Sequence, residues 1–373
     1  MNWLYMISIP FICSLCLTPL VKYIANYLNV CAQVNERTVH KKPLARIGGV
    51  AIFVGFFVGM LFFMKLDNSL RAILVGGYVM FIGGVIDDMY TLKPLYKLLF
   101  QFVAASIVIL WGGITLGTIN LPMNIVISMG GFSVFMSYVW IIGITNAINL
   151  IDGLDGLAGG ISTIVLMIIG SLSIIDGRTD IATISFLLAG STCGFLVYNM
   201  HPASIFMGDC GALFLGFMIS TISLMGFQSS TFITLGLPIL MLGIPIFDTL
   251  IAIIRRAING QKFTSADKNH LHHVLMRKFG HQNTVLILYV VTLLFGLSAY
   301  AYIFNKVVGL SLLIVITILV EIFIEVSGMI SNTYHPLLGI FCLITKKRSV
   351  LGVKALKVRK AKNYNEPFIT PEK

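Results

Sequence analysis

Charge is what this chain lacks. Only 11% of its 373 residues are Asp, Glu, Lys or Arg, against 57% that are hydrophobic. A soluble domain runs nearer a quarter charged and half apolar. A chain of this length without a charged surface cannot face water all round, so a soluble globular fold is excluded, and a disordered chain more firmly still. Cysteine is scarce too. The six present form no extracellular framework, and the close pair Cys13 and Cys16 lies inside an apolar run, where small buried side chains explain it better than redox or zinc chemistry. No cleavable leader is expected either. The first apolar run, about 4–28, is too long for a signal core and has no basic segment ahead of it. It is expected to be the first membrane span.

Long apolar runs are plentiful. A membrane helix needs about 20 mostly apolar residues. Eleven segments qualify: roughly 4–28, 47–64, 72–86, 98–116, 132–149, 158–175, 181–198, 211–227, 233–254, 285–304 and 307–330. Several are short or interrupted by glycine, which is tolerated where backbone packs on protein or lines a cavity. The expected fold is an all-α polytopic integral membrane protein with about 11 transmembrane helices. Its spans fill a catalytic domain over 1–330, followed by a basic tail at 331–373.

The net charge is +11, from 26 Lys and Arg against 15 Asp and Glu. Location matters more than the sum, and no nucleic-acid partner is expected. Alternate loops hold 21 of the basic residues on one face and four on the other, with Lys22 inside the first span. By the positive-inside rule the 21-residue face is cytoplasmic. The N-terminus is then outside and the C-terminus cytoplasmic. The tail, rich in Lys and Arg, suits anionic lipid.

The acids choose the same face. Asp87, Asp88, Asp152, Asp155, Asp209 and Asp267 all fall on cytoplasmic loops or span ends, in about 87–97, 150–157, 199–210 and 255–284. Acids crowded at one surface repel unless a cation or basic group neutralises them. Helix caps and turns are the plainer explanation. A cytoplasm-facing site with a divalent metal is the economical one.

Four motifs sharpen this. Asp87 and Asp88 close a span in GGVIDDMYTLKPLYK; neighbours on a helix point about 100° apart, so the two carboxylates cannot do one job. In TNAINLIDGLDGLAGG, Asn146, Asn149, Asp152 and Asp155 recur every three residues as a polar stripe, suited either to a nucleotide with a metal or to a polar helix seam. In YNMHPASIFMGDCGALFLG, Asp209 follows Gly208 at a helix start, with Asn199 and Phe206 before it. An acid there is favoured by the helix dipole; a metal ligand is the stronger alternative. The loop about 255–284 brings His270, His272 and His273 together among Lys268, Arg277 and Lys278. Those surroundings suit donors to a diphosphate better than a zinc site.

These motifs, in this order and on one face, resemble the polyprenyl-phosphate N-acetylhexosamine-1-phosphate transferase family over about 300 residues from Val34. The resemblance implies attack by a polyprenyl phosphate on the β-phosphorus of a UDP-N-acetylhexosamine, giving polyprenyl-diphospho-sugar and UMP. Magnesium, or manganese in its place, would be the cofactor, and a homodimer is compatible with it. Leu271 interrupts the histidines, which favours the GlcNAc-1-phosphate branch over the phospho-MurNAc-pentapeptide branch. The GlcNAc branch commonly has Arg after H-x-H-H; here Val274 stands there, with Arg277 about a helical turn further on. The resemblance makes Asp209 the metal ligand and sets Asp87 or Asp88 on the lipid phosphate. Asp152, Asp155 and Asn199, with Asn146 and Asn149, would serve the uridine and diphosphate side. Lys41, Lys42 and Arg46 would clamp phosphate, beside Phe206 and the three histidines.

Other classes fit less well. A secondary transporter would place its acids at mid-membrane. An intramembrane aspartyl protease needs Gly where Phe206 stands, two residues before Gly208, and a CDP-alcohol phosphotransferase needs a further Asp pair that is missing.

Overall fold

The computed structural model describes residues 3–32, 44–120, 126–227, 275–276 and 278–327. The expected span 233–254, the tail 331–373, and Lys41, Lys42, His270, His272 and His273 lie outside the described residues. The chain divides into two compact units, 1–316 and 317–373. Of the second, 317–327 is described, and it is helical.

Ten long helices are described. They are α1 (Trp3–Tyr27), α2 (Gly49–Phe63), α3 (Asn68–Tyr90), α4 (Pro94–Ser106), α5 (Ser133–Ile151), α6 (Leu157–Ile175), α7 (Thr179–Asn199), α8 (Gly208–Phe227), α9 (His281–Phe304) and α10 (Lys306–Ser327). Nine helical stretches among the described residues are long and apolar enough to cross a membrane; α2 is apolar but shorter. The protein is therefore an all-α, multi-pass membrane protein. Two ribbons lie between helices: β1 (Cys31–Ala32) with β2 (Leu44–Ala45), and β3 (Thr118–Asn120) with β4 (Val126–Ser128), both antiparallel.

Some boundaries differ from those read by hydropathy. Asp67 caps α3, accepting from Leu70 N–H at 2.7 Å, and the helix runs on to Tyr90, so Asp87 and Asp88 sit in its last turns rather than in a loop. The span expected over 98–116 is α4 starting at Pro94, continued by a π-helical turn, Ile107–Trp111. α5 stops at Ile151, so Asp152 and Asp155 leave the helix that carries Asn146 and Asn149. Gly156, at φ +77°, turns the chain into α6.

α8 is the central post, packed against α2, α3, α5 and α6. Every residue from Gly208 to Gly226 is buried. Glycines allow that closeness. A Cβ on Gly84 of α3 would lie 2.4 Å from the Cys210 Cα, and one on Gly49 of α2 would lie 2.2 Å from the Gly211 nitrogen. The first turn of α8 is thereby wedged between the C-terminal end of α3 and the N-terminal end of α2.

Candidate active site

The wedge assembles a cluster of charges. Asp88, on α3, accepts from the backbone N–H of Asp209 (Oδ1) and of Cys210 (Oδ2), both at 2.9 Å. It thus supplies, from another helix, the cap that Gly208 cannot give α8. Gly208 itself is at φ +75°, and a Cβ there would lie 1.8 Å from the Arg46 carbonyl oxygen. Arg46, from the segment entering α2, reaches Asp88 with Nε at 3.1 Å and Asp209 at 2.5 Å. The backbone of Phe206 fixes that segment: its N–H donates to Ala45, and its carbonyl accepts from Gly48 N–H at 3.0 Å. Lys97, in the first turns of α4, pairs with Asp87 and lies 3.6 Å from Asp209 Oδ1. Asp87 Oδ1 also accepts from Leu92 N–H at 2.7 Å. Asn149 is a side-chain partner of Asp209.

Three carboxylates thus meet two cations. Burial pulls the Arg46 pKa down, but Asp209, Asp88 and Asp87 outweigh it and hold the guanidinium above its ordinary value. Asp152, in the α5–α6 turn, belongs to the same field. Removal from water, then the negative charges of Asp209 and Asp88, push its carboxyl well above the ordinary range, with Arg46 pulling the other way. Such a field favours arrival of further positive charge.

A second cluster adjoins it. Asp155 Oδ2 pairs with His201 Nδ1 at 2.8 Å and accepts from Ala203 N–H at 3.1 Å. The Asp155 N–H donates to His281 Nε2 at 3.1 Å, and the two imidazoles stack with centroids 4.1 Å apart. Asn199, at the end of α7, accepts from Gly156 N–H at 3.1 Å and donates to Ile205 O at 2.9 Å. It braces the 152–156 turn against the 200–207 loop.

The model of the family described as "Glycosyl transferase family 4" matches residues 70–227. A Bacillus subtilis protein named "Probable undecaprenyl-phosphate N-acetylglucosaminyl 1-phosphate transferase" is 39% identical over 91% of this chain and 98% of its own length. The chain belongs to the polyprenyl-phosphate N-acetylhexosamine-1-phosphate transferase family. A Thermotoga maritima transferase, named for undecaprenyl-phosphate α-N-acetylglucosaminyl 1-phosphate transfer, is 29% identical over 77% of this chain and 86% of its own length. A Listeria monocytogenes phospho-N-acetylmuramoyl-pentapeptide-transferase is 40% identical, but over only 32% of this chain and 37% of its own. The protein is accordingly a glycosyl-1-phosphate transferase enzyme, and the transporter reading falls.

In this transferase the sequence-predicted residues divide into three groups. Arg46, Asp87, Asp88, Asn149 and Asp209 converge on one cluster, with Asp152 in its field. Asp155 and Asn199 stand in the adjoining one. Asn146 turns elsewhere: it exchanges amide hydrogen bonds with Gln101 of α4 at 3.0 and 2.9 Å, forming a polar seam between helices. Sequence reasoning missed three neighbours. Lys97 carried a usable signal, since a cation in the first turns of a helix opposes the dipole and calls for a partner. His201 and His281 carried none, being isolated histidines 80 residues apart.

Proposed function

We propose that the transferase moves GlcNAc-1-phosphate from UDP-GlcNAc to a polyprenyl phosphate such as undecaprenyl phosphate, releasing UMP, at the cytoplasmic face of the bacterial plasma membrane. The product would start a cell-envelope glycan of the teichoic acid or O-antigen kind. The relatives that match most of the chain are named for GlcNAc-1-phosphate transfer, whereas the pentapeptide transferase matches a third of it. The observation that carries the reading is the meeting of Asp87, Asp88, Asp209, Arg46 and Lys97 at helix ends on one face of the bundle.

The donor set fits magnesium. It is all carboxylate oxygen, as a hard cation requires, and Arg46 and Lys97 already supply positive charge against it. Asp209 and Asp87 would hold the ion. Asp88 would not, because both of its oxygens are spent on backbone N–H groups. The bound ion would neutralise the diphosphate and stabilise the departing UMP.

The chain's own residues do the rest. Arg46 and Lys97, drawn from their aspartates as phosphate enters, clamp the two anions so that they can approach. Asp88 keeps the first turn of α8, and with it Asp209, in place. Asp152, Asp155, Asn149 and Asn199 line the nucleotide side, and Lys41, Lys42 and the loop histidines contribute from beyond the described residues. An oxygen of the lipid phosphate attacks the β-phosphorus, and the bond from that phosphorus to the bridging oxygen of UMP breaks. No carboxylate need become phosphorylated, since the lipid phosphate is itself a nucleophile.

The test is UMP release by purified protein given magnesium, polyprenyl phosphate and UDP-GlcNAc. Turnover should stop with EDTA and return with magnesium. Asp209→Asn, still folded, should lose about 10²–10³-fold or more. Near-normal turnover by that variant would overturn the metal assignment, and no UMP from any UDP-amino sugar would overturn the reaction.

A further inference from the structure

The mechanism leaves His201 and His281 unused. We propose that Asp155, His201 and His281 form a second cation site, for a divalent transition metal of the zinc class, separate from the carboxylate site at Asp209. One ligand atom from each of the three lies within 4.8 Å of the other two. On a tetrahedral zinc, with bonds of about 2.0–2.1 Å to nitrogen, ligand atoms sit about 3.3 Å apart. Closing the cluster therefore asks for side-chain shifts of no more than about 1.5 Å, and His201 Nδ1 is already 2.8 Å from Asp155 Oδ2.

The donor types set the metal. Two imidazoles and one carboxylate suit zinc, cobalt, nickel or ferrous iron and are a poor match for magnesium, which prefers oxygen. The ligands come from three places in the chain: the α5–α6 turn, the 200–207 loop and the first residue of α9. Each is already held. Ala203 N–H anchors Asp155, Asp155 N–H meets His281, and the rings stack on one another. The His201 side chain is 28% exposed, so an ion can enter from solvent, while the Asp155 side chain, 4% exposed, is fixed at the base. Coordination replaces the hydrogen bonds from His201 to Asp155 and from Asp155 N–H to His281. It would tie the three segments together and hold the turn that carries Asp152.

The site stands on the cluster's geometry, shares Asp155 with the nucleotide side of the proposed function, and is read out by metal binding rather than turnover. Full-length protein in detergent is stripped with chelator and titrated with Co²⁺, followed by visible absorption. One ion per chain is expected, with the ligand-field bands of a four- or five-coordinate site, displaced by Zn²⁺ and not by excess magnesium. His281→Gln keeps an acceptor for Asp155 N–H yet should weaken Co²⁺ at least about 10-fold, and His201→Gln should do the same independently. Joint replacement of His270, His272 and His273 by Ala should leave the signal in place. Absence of a stoichiometric Co²⁺ spectrum, equal binding by wild type and both Gln variants, or loss of the signal in the triple variant would each overturn the proposal.

Discussion

Asp88 shows how a single carboxylate organises a charge cluster from a neighbouring helix. Its two oxygens accept the first N–H groups of α8, and Arg46 leans on it at 3.1 Å. Replacing it with Ala would orphan two buried donors and leave a half-buried guanidinium short of a partner. A cost of about 3–5 kcal/mol is expected, against about 1–3 kcal/mol for Asp88→Asn, which keeps one acceptor. Denaturation in mixed micelles measures both; equal stability of Asp88→Ala and the parent would mean that the cap is idle. The division of labour between Asp87 and Asp88 was legible in part, because adjacency on a helix forces the two carboxylates apart. Which one faces which partner was not legible, since the partner of Asp88 lies 121 residues further along the chain.

For the elements, the critical feature is how closely α2, α3 and α8 approach. Gly84→Ala would put a methyl group 2.4 Å from backbone on α8, where no side chain can move aside. The two helices must then separate, and Asp88 loses its grip on Asp209. The expected outcome is a sharp fall in monodisperse protein on size-exclusion chromatography, together with loss of UMP release. A well-folded, active variant would mean that the helices have slack. The helices themselves were easy to foresee, since apolar runs about 20 residues long mean spans. Their ends were harder, because polar residues such as Asp87 stay helical once a neighbouring helix satisfies them. The β3–β4 hairpin left no trace in hydropathy, its strands being three residues each. The stripe from Asn146 to Asp155 looked like one face but serves three tasks: Asn146 joins a seam, Asn149 supports Asp209, and the aspartates lie in a glycine turn.

At the scale of the whole molecule, the lopsided basic residues predict an orientation that labelling can test. In a cysteine-free background, Leu66→Cys and Gly177→Cys, at the exposed α2–α3 and α6–α7 connections, should react with an impermeant maleimide on intact cells. Lys93→Cys, at the exposed α3–α4 connection, should react only after permeabilisation. The reverse pattern would put the charge cluster on the outer face, out of reach of cytoplasmic nucleotide. Net composition carried the all-α, multi-pass architecture. The convergence of three separated motifs, through Asp87 and Asp88, Asn149 and Asp209, did not follow from composition, and became visible only through their order and resemblance, then through helix packing.

The complete enclosure of α8 has a further consequence. Helices such as α1 and α4 present large side chains outward, among them Leu4, Ile12, Leu98, Leu99 and Phe102, so they form the rim that meets acyl chains. A bilayer too thick or too thin for the protein is accommodated by tilt or by local adjustment of the lipid at such a rim. The helix bearing Asp209 has no residue in contact with lipid from Gly208 to Gly226. Changes in the acyl-chain length of the surrounding lipid should therefore strain the perimeter and leave the helix that bears Asp209 undisturbed.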